Sequence, residues 1–221
     1  MMEYSIALPS KPRVVSEEEY AGTYEIDGLY PGYGHTLGNS LRRIILSSLP
    51  GAAVTSVKID GVEHEFSTID GVREDVVTLI LNLKKLRIKL HSTEPQTIKL
   101  SVKGPKVVTA SDLKLPSQAE IMNPEQYINE ITDKNGEIEM EMTVEHGLGF
   151  VSKENIQKER VEIGTISLDA IFSPVRRVSY DVENMRVGNR TDFNRLSIMI
   201  ETDGSISPRD ALEHSIGIMI S

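Results

Sequence analysis

The run from Gly34 to Ser48 constrains this chain most, because it reads as a helix with apolar side chains on more than one side. At ~100° of rotation per residue, Leu37, Leu41, Ile44 and Ile45 fall at i, i+4, i+7 and i+8 on one stripe that packs on a core. Asn39, Arg43 and Leu46 project roughly opposite. An aliphatic beside an arginine suits a partly desolvated protein contact better than open water. A helix lying between two layers of one domain accounts for the same pattern. Pro50-Gly51 marks the stop, since proline cannot continue the helical hydrogen bonding and glycine permits the turn.

The rest of the chain supplies elements for such a helix to pack against. Arg13 to Tyr30 is rich in Val, Tyr and Thr and predicts two strands separated near Tyr20 to Gly22. Ala53 to Ile59 predicts a strand closing at Asp60-Gly61. Glu74 and Asp75 precede a dense apolar set, which predicts a second helix from about Arg73 to Lys85. Ile88 to Leu90, Thr97 to Val102, Tyr127 to Ile131 and Ile138 to Val144 alternate with Gly, Pro, Asn and Asp, the pattern of a small antiparallel sheet. Gly147, Gly149 and Ser152 to Arg160 read as a loop, and Gly164 to Ala170 as a strand. Val175 to Val187 is long and β-prone, whereas Leu196 to Ile200 reads as a short strand running into the Asp203-Gly204 turn. Ser207, Pro208 and Asp210 are an N-cap, a first-turn proline and an N3 acid, and Leu212, Ile216, Met219 and Ile220 give the helix they start an apolar stripe.

With 221 residues, 39% of them hydrophobic, the chain can bury a substantial core. It has no cysteine, which excludes disulfides and thiolate metal sites and leaves a cytoplasmic location as the expectation. No apolar run approaches the roughly 18 residues that span a bilayer, so no membrane association is expected. Acidic residues outnumber basic ones by 33 to 24, and the net charge of -9 opposes general attraction to a phosphate backbone.

Catalytic motifs are wanting. Gly32, Gly34 and Gly38 invite a dinucleotide-binding reading, but the third glycine is one residue too far, so a turn and a close helix approach explain them better. The histidines are dispersed, and Glu63-His64-Glu65, read as a strand, would turn its carboxylates away from the imidazole. Neither a nucleophile elbow nor a closely spaced acidic cluster for magnesium occurs. A free-standing enzyme would need a convergent polar pocket, which no motif supports.

Gly32 to Val54 closely resembles the signature of the N-terminal domain of the bacterial RNA polymerase alpha subunit. The likeness continues through Ile59 to Thr68, Gly71 to Val76 and Asn82 to Lys84. It resumes at Ser173 to Val178, Tyr180 to Glu183, Arg190 to Asp192 and Glu201 to Gly204, and is weakest between about His91 and Ile163. The extent of the match outside the helix argues against an archaeal or eukaryotic relative that would heterodimerise.

The resemblance implies an α+β fold in which a discontinuous dimerisation domain, residues 1–51 and 174–221, is interrupted by a mostly β insertion domain, residues 52–173. It implies a homodimer that recruits the beta and then the beta-prime subunit, works in the cytoplasm at the nucleoid, and leaves the catalytic magnesium to beta-prime, with no cofactor of its own. Carried over by position, the dimer contacts are Leu37, Leu41, Ile44, Ile45, Leu212, Ile216 and Met219. Beta contacts are Arg43, Leu46, Asp60, Arg73 and Asp75; beta-prime contacts are Lys84, Leu168, Arg176 and Arg186 within or near the Ser173 to Arg186 segment. A local ion pair is the competing role for Arg43. The final helix is expected to continue past Ser221 into a linker and a small DNA-binding domain, without which no principal DNA contact is implied.

Overall fold

A computed structural model describes residues 8–156 and 164–221. In chain order the elements are β1 (Arg13–Glu17), β2 (Ala21–Leu29), α1 (Tyr33–Ser47), β3 (Pro50–Ile59), α2 (Val76–Leu83), β4 (Ile88–Leu90), β5 (Gln96–Lys103), β6 (Lys106–Thr109), β7 (Ala119–Ile121) and β8 (Tyr127–Ile131). Then follow β9 (Glu137–Leu148), β10 (Phe150–Val151), α3 (Lys153–Ile156), β11 (Thr165–Ser167), β12 (Ala170–Ile171), β13 (Val175–Val187), β14 (Arg190–Thr202) and α4 (Pro208–Ile220). The fold is mixed α and β with antiparallel sheets. It divides into two compact units: the described part of Met1–Leu49 with Pro174–Ser221, and the described part of Pro50–Ser173.

The first unit is a sheet in the order β1-β2-β14-β13 with α1 and α4 packed on it. The Val182–Leu196 and Tyr180–Ile198 pairs, with Ile198 opposite Tyr24, set the register. Residues of one parity therefore share a face, and Leu196, Ile198, Ile200, Tyr24 and Ile26 are buried there together with Leu41, Ile45 and Leu212 of the helices. Each fully buried aliphatic contributes roughly 1.5–3 kcal/mol. The alternate positions carry a charged network in which Arg195 Nε donates to Asp27 at 2.6 Å and Arg13 pairs with Glu25. Strand β14 runs from Arg190, not from Leu196. Its first residues are polar and exposed, so hydropathy alone marks only the apolar half.

Helix α1 lies close on this sheet because of two glycines. A Cβ on Gly34 would sit 2.6 Å from Val182 Cγ1, and one on Gly38 would sit 2.6 Å from Tyr180 Cδ2. The turn before the helix uses Gly32 at φ 85°. Its amide and that of Gly34 both donate to Asn194 Oδ1, at 2.9 and 3.3 Å, so a side chain of β14 caps the helix from across the unit.

The second unit carries a sheet in the order β11-β3-β9-β5, with α2 and three two-stranded ribbons, β4-β7, β6-β8 and β10-β12. Its core joins Val57 and Ile59 to Ile98, Leu100, Ile138, Met140 and Met142, with Leu79 and Leu83 of α2. Asn82 is tolerated in this apolar helix because its Nδ2 donates to Ile128 O at 3.0 Å.

Several sequence expectations change here. Helix α2 starts at Val76 rather than Arg73, since Asp75 is extended and accepts the Thr78 amide at 2.8 Å as N-cap. Arg73 N–H instead donates to Glu130 O at 2.9 Å, placing that residue on the edge of β8. Helix α1 stops at Ser47, and Pro50-Gly51 opens β3. Glu63, His64 and Glu65 lie outside any strand, which removes the alternation argued for them. Gly147 is a strand residue paired with Gly51, where a Cβ would meet the Phe172 ring at 2.6 Å. The loop expected over Ser152 to Arg160 contains α3, and its residues after Ile156 lie outside the described residues. Between Gly164 and Ala170 the strand ends at Ser167, and Leu168 and Asp169 lie outside any strand before β12.

Candidate subunit-docking surfaces

The apolar stripe of α1 splits by depth. Leu41 and Ile45 are 0% exposed in their own unit, so they hold the helix on its sheet and have no surface for direct contact with a second chain. Leu37 and Ile44 are half-buried. On α4, Leu212 is buried and Ile216 half-buried, while Ile218 (39%), Met219 (37%) and Ile220 (78%) are exposed. The two helices pack together. Between them they present aliphatic surface along Leu37 and Ile44 and at the end of α4.

Arg43 is exposed and forms no ion pair with any described residue. Its carbonyl accepts the Ser47 hydroxyl at 2.8 Å, and its guanidinium bonds no described residue. Leu46 projects roughly opposite the stripe but is not open to solvent. It is half-buried against its own core, since the covered face is centred on Gly34, Gly38, Leu41 and Ile45 rather than on the middle of the stripe, and Leu46 falls at the edge of that face. Arg176 is exposed at a bulge in β13, and Arg186 Nε donates to Gly188 O at 2.8 Å, bracing the β13-β14 turn.

In the second unit, Asp60 is exposed on the turn that Gly61 closes at φ 74°. Arg73 and Asp75 are brought close in one segment, but each has a local partner. Arg73 Nη1 lies 2.8 Å from Glu130 Oε2, and Asp75 caps α2. Hydrogen bonding from Thr78 holds the Asp75 carboxyl below its ordinary range. Glu74 between them accepts the Tyr127 hydroxyl and, at 2.9 Å, the Glu130 amide. Burial, and then the Glu74 carboxylate, push the Tyr127 hydroxyl up to about 12. Lys84 pairs with Asp169 at 3.2 Å. Leu168 is 3% exposed within the core, so it cannot itself be a contact residue. The residues nominated for beta thus divide between the units, Arg43 and Leu46 in one and Asp60, Arg73 and Asp75 in the other.

Sequence reasoning missed Asn194, Lys153 and Asp169 and read Glu74 only as a helix-start acid, whereas all four act through partners remote in the chain. Among the described residues no three His, Asp or Glu side chains are grouped to hold a metal ion, and no helix is long and apolar enough to cross a membrane.

The first unit is thus discontinuous in sequence, with the second inserted between Leu49 and Pro174. Residues 57–173 match the family model described as the RNA polymerase Rpb3/RpoA insert domain. The chain belongs to the bacterial DNA-directed RNA polymerase subunit alpha family and corresponds to its N-terminal domain. It is 50% identical over 215 residues to the DNA-directed RNA polymerase subunit alpha of Roseiflexus castenholzii, covering 97% of this chain and 66% of that protein. The protein of the same name in Herpetosiphon aurantiacus is 47% identical over 215 residues, with 97% and 64% covered, and that of Moorella thermoacetica 50% over 212 residues, with 95% and 67% covered. The chain therefore spans about two thirds of the length of these relatives.

Proposed function

We propose that this chain homodimerises through α1 and α4 of its first unit and that the dimer scaffolds assembly of the polymerase beta and beta-prime subunits for transcription. It brings no catalytic group of its own to the complex, whose magnesium-dependent chemistry belongs to beta-prime. The observation that carries the reading is the aliphatic surface left uncovered on the helices, ending in Ile218, Met219 and Ile220. Contiguous apolar surface on a folded unit marks a protein contact, and a two-fold pairing would cover it with one self-complementary patch. The inserted unit, with its 60–75 segment and the Lys84 region, provides docking surface for the larger subunits. A net charge of -9 disfavours a principal DNA-binding role for this part of the chain.

Arg43 is the leading beta contact because its guanidinium is exposed and unpaired among described residues. A planar fork of donors there can grip a carboxylate or carbonyls. Light scattering of the purified chain should give twice the chain mass, and Met219→Glu should return it to monomer. Arg43→Ala should leave the dimer intact while weakening beta capture roughly thirtyfold, the effect of ~2 kcal/mol typical of a truncated interface arginine. Monomeric wild type, or undiminished beta capture by Arg43→Ala, would count against the reading.

A further inference from the structure

One row of side chains on the outer face of the β11-β3-β9-β5 sheet is built of hydroxyls from all four strands. Ser167 pairs with Ser56, Ser56 with Thr143, and Thr143 with Thr97, so strand register sets the four side by side. Their neighbours Ile166, Val57, Met142 and Ile98 enter the core, which fixes the outward direction of the row. At ~4.8 Å between strands the hydroxyls extend over roughly 14 Å.

Facing hydroxyls on neighbouring strands commonly bond each other. Here none of the four side chains bonds a described residue, and Ser167 Oγ is buried with no partner. A buried polar atom left unsatisfied costs free energy that a donor or acceptor from outside would recover. The row floors a cleft of about 640 Å³, within the range of small-molecule sites. Val151, Ile156 and Phe172 give the cleft an apolar wall. Its charged side chains are Lys58, Glu141 and Glu145, and Glu141 is paired with Lys99 just outside it, so the lysines and glutamates balance.

The geometry points to a binding site for a neutral polyhydroxylated ligand the size of a disaccharide, its hydroxyls bonding the Ser167-Ser56-Thr143-Thr97 row and its C–H face packing on Val151, Ile156 and Phe172. A hydroxyl both donates and accepts, so a ladder of them meets a polyol at each rung without demanding a fixed order of donors. An anionic ligand would sit beside Glu141 and Glu145, and a cationic one beside Lys58. The site is independent of the scaffolding role, since it uses none of the residues named for dimer, beta or beta-prime contact.

Amide NMR of the whole chain titrated with trehalose tests it. Shifts clustered around Ser56, Thr97, Thr143 and Ser167 should saturate in the millimolar range. Thr143→Val keeps a branched strand side chain while removing one rung, and should weaken binding about tenfold. Ser167→Ala should weaken it similarly yet leave the urea midpoint of the unliganded chain no lower, because its hydroxyl has no partner to lose. Glycerol, too short to span the row, should give no saturating shift, which separates binding from the general exclusion of polyols from protein surfaces. Trehalose shifts that never saturate, or affinity undiminished in Thr143→Val, would overturn the site. Saturation by glycerol at the same concentration would overturn the match to a disaccharide. A lower midpoint for Ser167→Ala would overturn the assignment of its hydroxyl to the ligand.

Discussion

Replacing Gly38 with alanine sets two opposing effects against each other inside α1. A mid-helix glycine is ~0.8–1.0 kcal/mol less favourable than alanine, so on an open helix face the change would stabilise. At Gly38 the new Cβ would lie 2.6 Å from Tyr180 Cδ2, 2.9 Å from Tyr180 Cγ and 2.9 Å from Leu196 Cδ1. Leu196 is 0% exposed and the inner edge of the tyrosine ring cannot swing clear, so the helix must lift or the sheet must give. Overpacking of this kind costs about 1–3 kcal/mol. Subtracting the propensity gain leaves a net loss of ~0–2 kcal/mol, visible as a lower urea midpoint with unchanged slope. In a Tyr180→Ala background two of the three close contacts vanish, and the loss should shrink by about 1 kcal/mol, a coupling that a double-mutant cycle isolates. If Gly38→Ala instead raises stability by about 1 kcal/mol in the wild-type background, α1 does not sit on its sheet as described.

Ser207 accepts the Asp210 amide at 3.1 Å as N-cap of α4, so Ser207→Ala should cost ~0.5–2 kcal/mol in urea unfolding. The Asp169 carboxyl is held below its ordinary value of 3.8, first by the Lys153 amide and then by Lys84. A depressed folded-state value means that its contribution is fully present above pH 3.8 and is lost as the pH falls through the lower folded value. Carboxyl resonances followed by NMR should show Asp169 titrating below 3.8 in the wild type and moving part of the way back in Lys84→Met, because the amide bond remains; a midpoint at or above 3.8 in the wild type would contradict the geometry.

The stripe on α1 was legible because periodicity acts within a few turns, yet its depth was not. Leu41 and Ile45 belong wholly to the unit's core while Leu37 and Ile44 stay half-buried, and that division depends on where β13 and β14 pass beneath the helix. The same holds for the candidate contacts. Arg43 is exposed and unpaired among the described residues, whereas Leu168 lies in the core, Leu46 is partly buried, and Asp75 and Arg73 took local partners.

What the sequence determined by itself are features whose physics is local. The Ser207-Pro208-Asp210 start of α4, the length of β13, the positive-φ glycine at the mouth of α1 and the lack of cysteine chemistry all follow from residues within a turn of one another or from composition. Tertiary structure alone decided that Asn194 supplies the missing cap of α1, that Glu74 ties its segment to Tyr127, and that Lys153 and Asp169 join Glu65 to Lys84. Each of these pairings crosses many residues; Glu65, Lys153, Asp169 and Lys84 lie outside strands and meet where loops and helix ends are folded together, while the strand residues Asn194 and Tyr127 are aimed by register. A shift of one residue would turn the partner side chain to the opposite face.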